Sequence, residues 1–163
     1  VLEREDKVRI LDADALNIIA AEHIDYKGSS EGKIIITPHI MEMSRLTGKT
    51  AADIKEHMIE SAKEYAIQHS CICILKDART VVTDGQKVYI NCTGNDGMST
   101  GGCGDVLTGL IAGMTAMGLD AFEAACLSVY VHGKAGDYAA AGKGRAGMTA
   151  ADISEAIAYV LKR

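Results

Sequence analysis

Two short runs, Lys33-Ile34-Ile35-Ile36 and Cys71 to Lys76, do most to limit what this chain can fold into. A strand with one wet face alternates apolar and polar residues. An unbroken apolar run reads instead as a strand covered on both faces, the habit of parallel sheets packed between helices. Thr37-Pro38 ends the first run, because proline cannot donate to the ladder. Upstream, Val8-Arg9-Ile10-Leu11 is a short β-type run closed by Asp12-Ala13-Asp14. A helix is predicted over Asp14 to Ala21 with Asp14 as its cap, followed by a polar Gly/Ser loop from Lys27 to Gly32. Thr50-Ala51-Ala52-Asp53 resembles a capping box with Asp in place of Glu. It opens one helix that places Ile54, Met58, Ala62, Tyr65 and Ala66 on a single face. Thr80 to Thr83 and Lys87 to Asn91, around Asp84-Gly85-Gln86, read as a β-hairpin. Asp105 to Met117 and Asp120 to Ala141 are apolar helices, and Thr149-Ala150-Ala151-Asp152 caps a last one. Strands alternating with helices define an α/β layered sheet, and 163 residues without a repeat or low-complexity tract predict a single domain over 1–163.

Charge and composition remove several functional classes. Lys and Arg number 17 against 22 Asp and Glu, for a net charge of −5, with no Trp and few other aromatics. A nucleic-acid binder shows the opposite balance, with rings for stacking. No stretch approaches the ~18–20 apolar residues of a membrane span. The charged start Val1-Leu2-Glu3-Arg4-Glu5-Asp6-Lys7 lacks the apolar core of a signal peptide, so a cytoplasmic protein is expected. Five cysteines, an odd number, show no disulfide framework, and reduced thiols are predicted. Cys71 and Cys73 alternate on a strand and share one buried face. Without a CxxC, and with scattered histidines, no metal site is assigned.

Glycine carries the functional signal. The chain has 17 glycines and a single proline, and seven of the glycines fall between Gly94 and Gly113. Three other patterns mislead. Gly48-Lys49-Thr50 ends like a Walker A motif, but Met43 stands where the opening glycine belongs. Gly142-Lys143-Gly144-Arg145-Ala146-Gly147 fits GxGxxG yet follows a helix instead of a strand. Gly97-Met98-Ser99-Thr100-Gly101 fits GxSxG, with Asp120 and His132 downstream in hydrolase order, but Cys92 to Asp96 separate it from the strand an elbow requires. In Asn91 to Gly109, by contrast, Gly101, Gly102 and Gly104 stand at the start of a helix. Unpaired N–H groups and the helix dipole make an anion hole for phosphate there. Asp105 in the first turn faces what those groups hold. Its chemical role is that of a general base toward a hydroxyl attacking a phosphoryl group. On local grounds His39 is a first-turn residue after Pro38, Lys76 a solvated strand-end charge and His132 a hydrogen-bonded core histidine.

The stretch Asn91 to Gly109 resembles the signature of the ADP/ATP-dependent NAD(P)H-hydrate dehydratases, YjeF C-terminal-type members of the ribokinase-like superfamily. Asp12-Ala13-Asp14-Ala15-Leu16-Asn17, Thr37-Pro38-His39 with Glu42-Met43 and Arg45-Leu46, Lys76 with Thr80, and Val131-His132-Gly133-Lys134-Ala135-Gly136-Asp137 follow in the family's order. The resemblance implies a ribokinase-like three-layer αβα sandwich missing its N-terminal strands. It implies nucleotide contacts at Gly104 and at Lys76, Asp77, Ala78, Arg79 and Thr80, and contacts to a hydrated nicotinamide at His39 and Asp105. The implied reaction uses ADP or ATP, with Mg²⁺ screening the phosphates. The nucleotide phosphorylates the hydroxyl of hydrated NADH or NADPH, and elimination of phosphate restores the nicotinamide. A homo-oligomer is also implied.

Three departures qualify the match. Asp77 stands where the family has glycine, and its Cβ and charge are predicted to weaken anion binding or to shift the loop. Ile40-Met41 replaces Pro-Gly after His39, and the first strands with a Gly-Pro-Gly-type loop of the substrate site are expected to be missing. Three alternatives stay open: a ribokinase-like kinase of a vitamin-like or sugar-like alcohol, a non-catalytic remnant that acts only in an oligomer or with a partner, and a serine hydrolase with Ser99 as nucleophile.

Overall fold

The computed structural model describes residues 7–28 and 34–162. Readings that fall on 1–6, on 29–33 (including Lys33 of the first apolar run) or on 163 lie outside these residues. β1 (Arg9–Leu11), β2 (Ile34–Ile36) and β3 (Ile72–Leu75) pair in parallel. β4 (Val81–Thr83) and β5 (Val88–Ile90) form the expected hairpin and add antiparallel, so the sheet runs in order from β1 to β5.

The apolar strands do what their pattern requires. Ile34, Ile36, Cys71, Cys73 and Leu75 point to one face, against Leu16, Met43, Ile54, Ala62, Tyr65 and Ala66. These come from α1 (Asp14–Ala21), α2 (Ile40–Thr47), α3 (Ala51–Glu56) and α4 (Met58–His69). Ile35, Ile72, Ile74 and Val82 point to the other face, against Leu107, Ile111, Ala125 and Val129. Those belong to α5 (Cys103–Ala116) and α6 (Ala121–Lys143), and α7 (Ala150–Val160) packs Ile153 and Ala156 with Cys103 of α5 and Ala135 and Ala139 of α6. The result is a three-layer αβα arrangement. Each fully buried isoleucine contributes roughly 1.5–3 kcal/mol. Among the described residues no helix is long and apolar enough to cross a membrane.

Three local expectations are corrected. Asp14 does not cap α1: the N-cap is Ala13, at φ 50, and Asp14 lies in the first turn. The helix opened by Thr50 is two helices, broken at His57 (φ −122, ψ 48). The apolar face nevertheless continues across the break, with Ile54, Ala62, Tyr65 and Ala66 all buried, so packing rather than helix continuity fixes that face. α5 begins at Cys103, two residues before the expected start, which puts Gly104 inside its first turn.

Candidate functional site

The carboxyl ends of the three parallel strands lie side by side, and each is followed by a polar side chain. Asp12 follows β1, His39 follows β2 after Thr37-Pro38, and Lys76 follows β3. His39 and Lys76 form a parallel bridge that extends the β2–β3 pairing, with the Lys76 N–H donating to the Pro38 carbonyl at 2.8 Å. Ligands of α/β sheets bind at this end.

The first turn of α5 closes over these groups. A Cβ built on Gly104 would stand 3.6 Å from Lys76 Nζ and 3.7 Å from Asp12 Oδ2, so Gly104 faces both charges across about the width of a methyl group. Lys76 Nζ donates to Asp12 Oδ1 at 3.1 Å, and Thr108 Oγ1 donates to Asp12 Oδ2 at 2.8 Å. Burial pushes the Asp12 carboxyl up. Hydrogen bonding to Thr37 and Thr108 and the Lys76 ammonium outweigh it and hold the pKa below its usual value. Lys76 is therefore half of a part-buried ion pair, not the solvated charge its place in the sequence predicts.

Gly102 caps α5 in the left-handed region (φ 89), where a side chain would be strained. Cys103 N–H reaches the Thr100 carbonyl and Val106 N–H the Gly102 carbonyl. The amides of Gly104 and Asp105 lie between, in the turn that has no carbonyl one turn behind it, where the dipole is positive.

His39 is more than a first-turn residue. It caps α2, its Nδ1 accepting from the N–H of Met41 (3.1 Å) and Glu42 (3.2 Å). Buried Glu42 returns the bond, its Oε2 accepting from His39 N–H at 2.9 Å while Oε1 lies 3.3 Å from Nε2. With Nδ1 committed as acceptor, the neutral ring carries its proton on Nε2 and can offer a ligand only a donor.

These groups open into a cavity of about 650 Å³. His39, Lys76, Asp77, Ala78, Thr80 and Gly104, all anticipated from the sequence, line it. Four other anticipated residues do not line the cavity. Arg79 Nη1 turns to Cys92 Sγ (3.4 Å), Asp105 is exposed on the first turn of α5, and Gly101 and Gly102 form the bend into that helix.

Apart from Val129, the opposite wall falls within the signature stretch and the Val131–Asp137 motif, although the sequence assigns its residues no contact. It is the loop from Asn91 to Thr100 together with Val129, His132 and Gly133 of α6. Asp137 on α6 accepts from Gly94 N–H (3.0 Å) and Asn95 Nδ2 (3.1 Å). Thr93 Oγ1 lies 2.9 Å from Asn91 Oδ1 and 3.1 Å from the Tyr130 carbonyl. The loop lies so close that a Cβ on Gly133 would fall 2.1 Å from Thr93 Oγ1, and one on Gly136 2.3 Å from Met98 Sδ. The spacing Gly133-x-x-Gly136-Asp137 is the signal for this contact: two glycines on one helix face, with an acceptor beside them.

His132 is hydrogen-bonded to the Cys103 backbone, as a core histidine would be, but its Nε2 is buried without a hydrogen-bond partner and the residue lines the cavity. Burial, with a smaller contribution from Lys76, lowers its pKa to about 4, so the ring is neutral at physiological pH.

The misleading motifs are structural. Asp120 Oδ1 caps α6 by accepting from Phe122 and Glu123 N–H. His132 lies twelve residues further along that helix, roughly 18 Å at 1.5 Å per residue, so the hydrolase triad does not assemble. Gly144 ends α6, where the dipole is negative, and Gly48 and Thr50 cap α2 and α3.

A parallel sheet with an appended hairpin between two helical layers, and a glycine-rich helix start over its carboxyl edge, is the ribokinase-like arrangement. A ribokinase-like superfamily protein from Enterococcus faecalis shares it with a TM-score of 0.79 at 28% identity, over 93% of this chain and 51% of that one. The chain belongs to the NAD(P)H-hydrate dehydratase family, whose sequence model matches residues 1–159. It is 47% identical over 164 residues to the bifunctional NAD(P)H-hydrate repair enzyme of Moorella thermoacetica, covering 99% of this chain and 31% of that protein. The ADP/ATP-dependent NAD(P)H-hydrate dehydratase of Bacillus subtilis, co-crystallised with ATP/Mg²⁺ and soaked with CoA, matches with a TM-score of 0.84 at 32% identity, over 93% of this chain and 54% of that one. The chain thus spans about a third to a half of the length of these relatives.

Proposed function

We propose that the chain carries the nucleotide and phosphoryl-transfer site of an ADP- or ATP-dependent dehydratase that returns hydrated NADH or NADPH to the reduced nicotinamide. The observation that carries this reading is the placement of Gly104, in the first turn of α5, facing the Lys76–Asp12 pair at the edge of a 650 Å³ cavity. The nucleotide's phosphates sit on the first-turn amides with Lys76 beside them, while Ala78 and Thr80 line its path. His39 donates from Nε2 to the hydrate. Asp105 takes the proton from the hydrate's hydroxyl as that oxygen attacks the terminal phosphorus, and the nucleotide leaves one phosphoryl group shorter. The carbon–oxygen bond then breaks with its electron pair on phosphate, a far better leaving group than hydroxide, and the adjacent ring carbon gives up a proton so that its C–H electrons form the restored double bond.

Among the described residues no three His, Cys, Asp or Glu side chains gather as a metal cage. Mg²⁺ keeps water and binds phosphates with one or two carboxylates. Asp77 and Asp96 are the carboxylates in the cavity wall. When bound, the ion screens the phosphate charge. Stacked Tyr138 and Tyr159, both exposed, suit a homo-oligomer, and the free thiols suit a reducing cytoplasm.

The test is incubation of the full chain with hydrated NADPH, ADP or ATP, and Mg²⁺, read by the reduced-nicotinamide absorbance. Recovery that requires the nucleotide supports the reading. A stable phosphorylated product without dehydration assigns a kinase, and no nucleotide-dependent change removes the proposal.

A further inference from the structure

We propose that Asp12 is a positioning residue that fixes the Lys76 ammonium against the first turn of α5 for phosphoryl transfer. This rests on the nucleotide reading above and adds to it a division of labour. A lysine has three donors on a flexible four-carbon stem, and left alone it spreads over many rotamers. Lys76 is not left alone. Asp12 Oδ1 accepts from it at 3.1 Å, and Asp12 Oδ2 is itself fixed by Thr108 Oγ1 at 2.8 Å. Thr108 lies one turn after Gly104 on the same helix, so a single carboxylate ties the end of β1, the end of β3 and the start of α5 into one triangle. The held ammonium keeps two further N–H donors for a phosphate.

The arrangement has an electrostatic consequence. Asp12 is ionised, and its charge opposes any anion brought to Gly104. It lowers nucleotide affinity while improving geometry, so its removal should separate binding from turnover. A group that merely supports the fold would not separate them.

The experiment uses the full chain with Asp12→Asn, Lys76→Met and the double variant. It reads ADP binding by calorimetry and turnover by the dehydration assay. For Asp12→Asn the account expects ADP to bind as tightly as to the wild type or more tightly, with kcat lower by about 10- to 100-fold, the effect of a small misplacement. Lys76→Met should lose both binding and turnover, and the double variant should turn over no more slowly than Lys76→Met alone, because Asp12 acts through Lys76. A loss confined to KM, an unchanged kcat, or additive losses in the double variant overturn the proposal. Should Asp12→Asn not fold, Thr108→Val, which removes one of the bonds fixing Asp12, is expected to lower kcat in the same direction, and an unchanged kcat there counts against it. Carbon-13 relaxation of the Lys76 side chain without nucleotide separates this proposal from the functional one. Lys76 as mobile as an exposed lysine refutes positioning, whereas an ordered Lys76 in a chain that binds no ADP refutes the nucleotide reading.

Discussion

Gly133→Ala tests how tightly the cavity's far wall is built. The new Cβ would lie 2.1 Å from Thr93 Oγ1 and 2.8 Å from the Thr93 carbonyl carbon and oxygen. The hydroxyl can rotate away, losing its one donated hydrogen bond, which reaches Asn91 Oδ1 or the Tyr130 carbonyl, at about 1 kcal/mol. The carbonyl cannot rotate away, so the loop must shift, and overpacking of this kind costs about 1–3 kcal/mol. Alanine's helix propensity returns about 1 kcal/mol. The net expectation is a loss of about 1–3 kcal/mol, or roughly 2–12 °C in Tm for a domain of this size. Gly109→Ala on α5 is the control. It is exposed, its Cβ meets nothing within 4 Å, and it should gain about 1 kcal/mol. Thermal unfolding gives the first readout and ADP titration the second, since Thr93, Gly94 and Asn95 line the cavity and would move together. A Gly133→Ala protein that melts with the wild type, or binds ADP unchanged, refutes the close-contact argument.

Stability should fall on acidification through His132. An unfolded imidazole gains its proton near pH 6.5, whereas burial delays His132 to about 4. The unfolded state therefore binds the extra proton across that window. This contribution is lost as pH drops from about 6.5 to about 4 and levels off below, about 3 kcal/mol in all. Denaturant titrations at several pH values should show a flatter dependence for His132→Gln. Asp137→Ala removes the acceptor of two hydrogen bonds to the Asn91–Asn95 loop and is expected to cost about 2–4 kcal/mol in urea unfolding, with weaker ADP binding. Asp105→Asn should lower turnover by roughly 10²–10⁴-fold while leaving ADP affinity and Tm near the wild type, because the residue is exposed and serves as base.

What could be read from the residues alone was set by periodicity and by glycine. Unbroken isoleucine and cysteine runs told of strands buried on both faces, and alternate residues do pack into opposite layers. Gly101, Gly102 and Gly104 told of a helix start, and α5 does begin there, at Cys103. Lys76 needs Asp12, 64 residues away in the chain, and Thr108, 96 residues from Asp12, so its ion pair has no local signature. His132 looked like core because α6 is apolar around it, and only the approach of the Asn91–Thr100 loop turns that helix face into a cavity wall. The His57 break between α3 and α4 left no mark, since the apolar spacing runs through it.

The central claim is that the first turn of α5 and Lys76 together receive a nucleotide's phosphates. A crystal of the full chain soaked with ADP and Mg²⁺ tests it most directly. The account predicts phosphate oxygens within hydrogen-bond reach of the Gly104 amide and Lys76 Nζ, with Asp105 beside the terminal phosphate. Ordered nucleotide bound anywhere else, with that turn left bare, would contradict it.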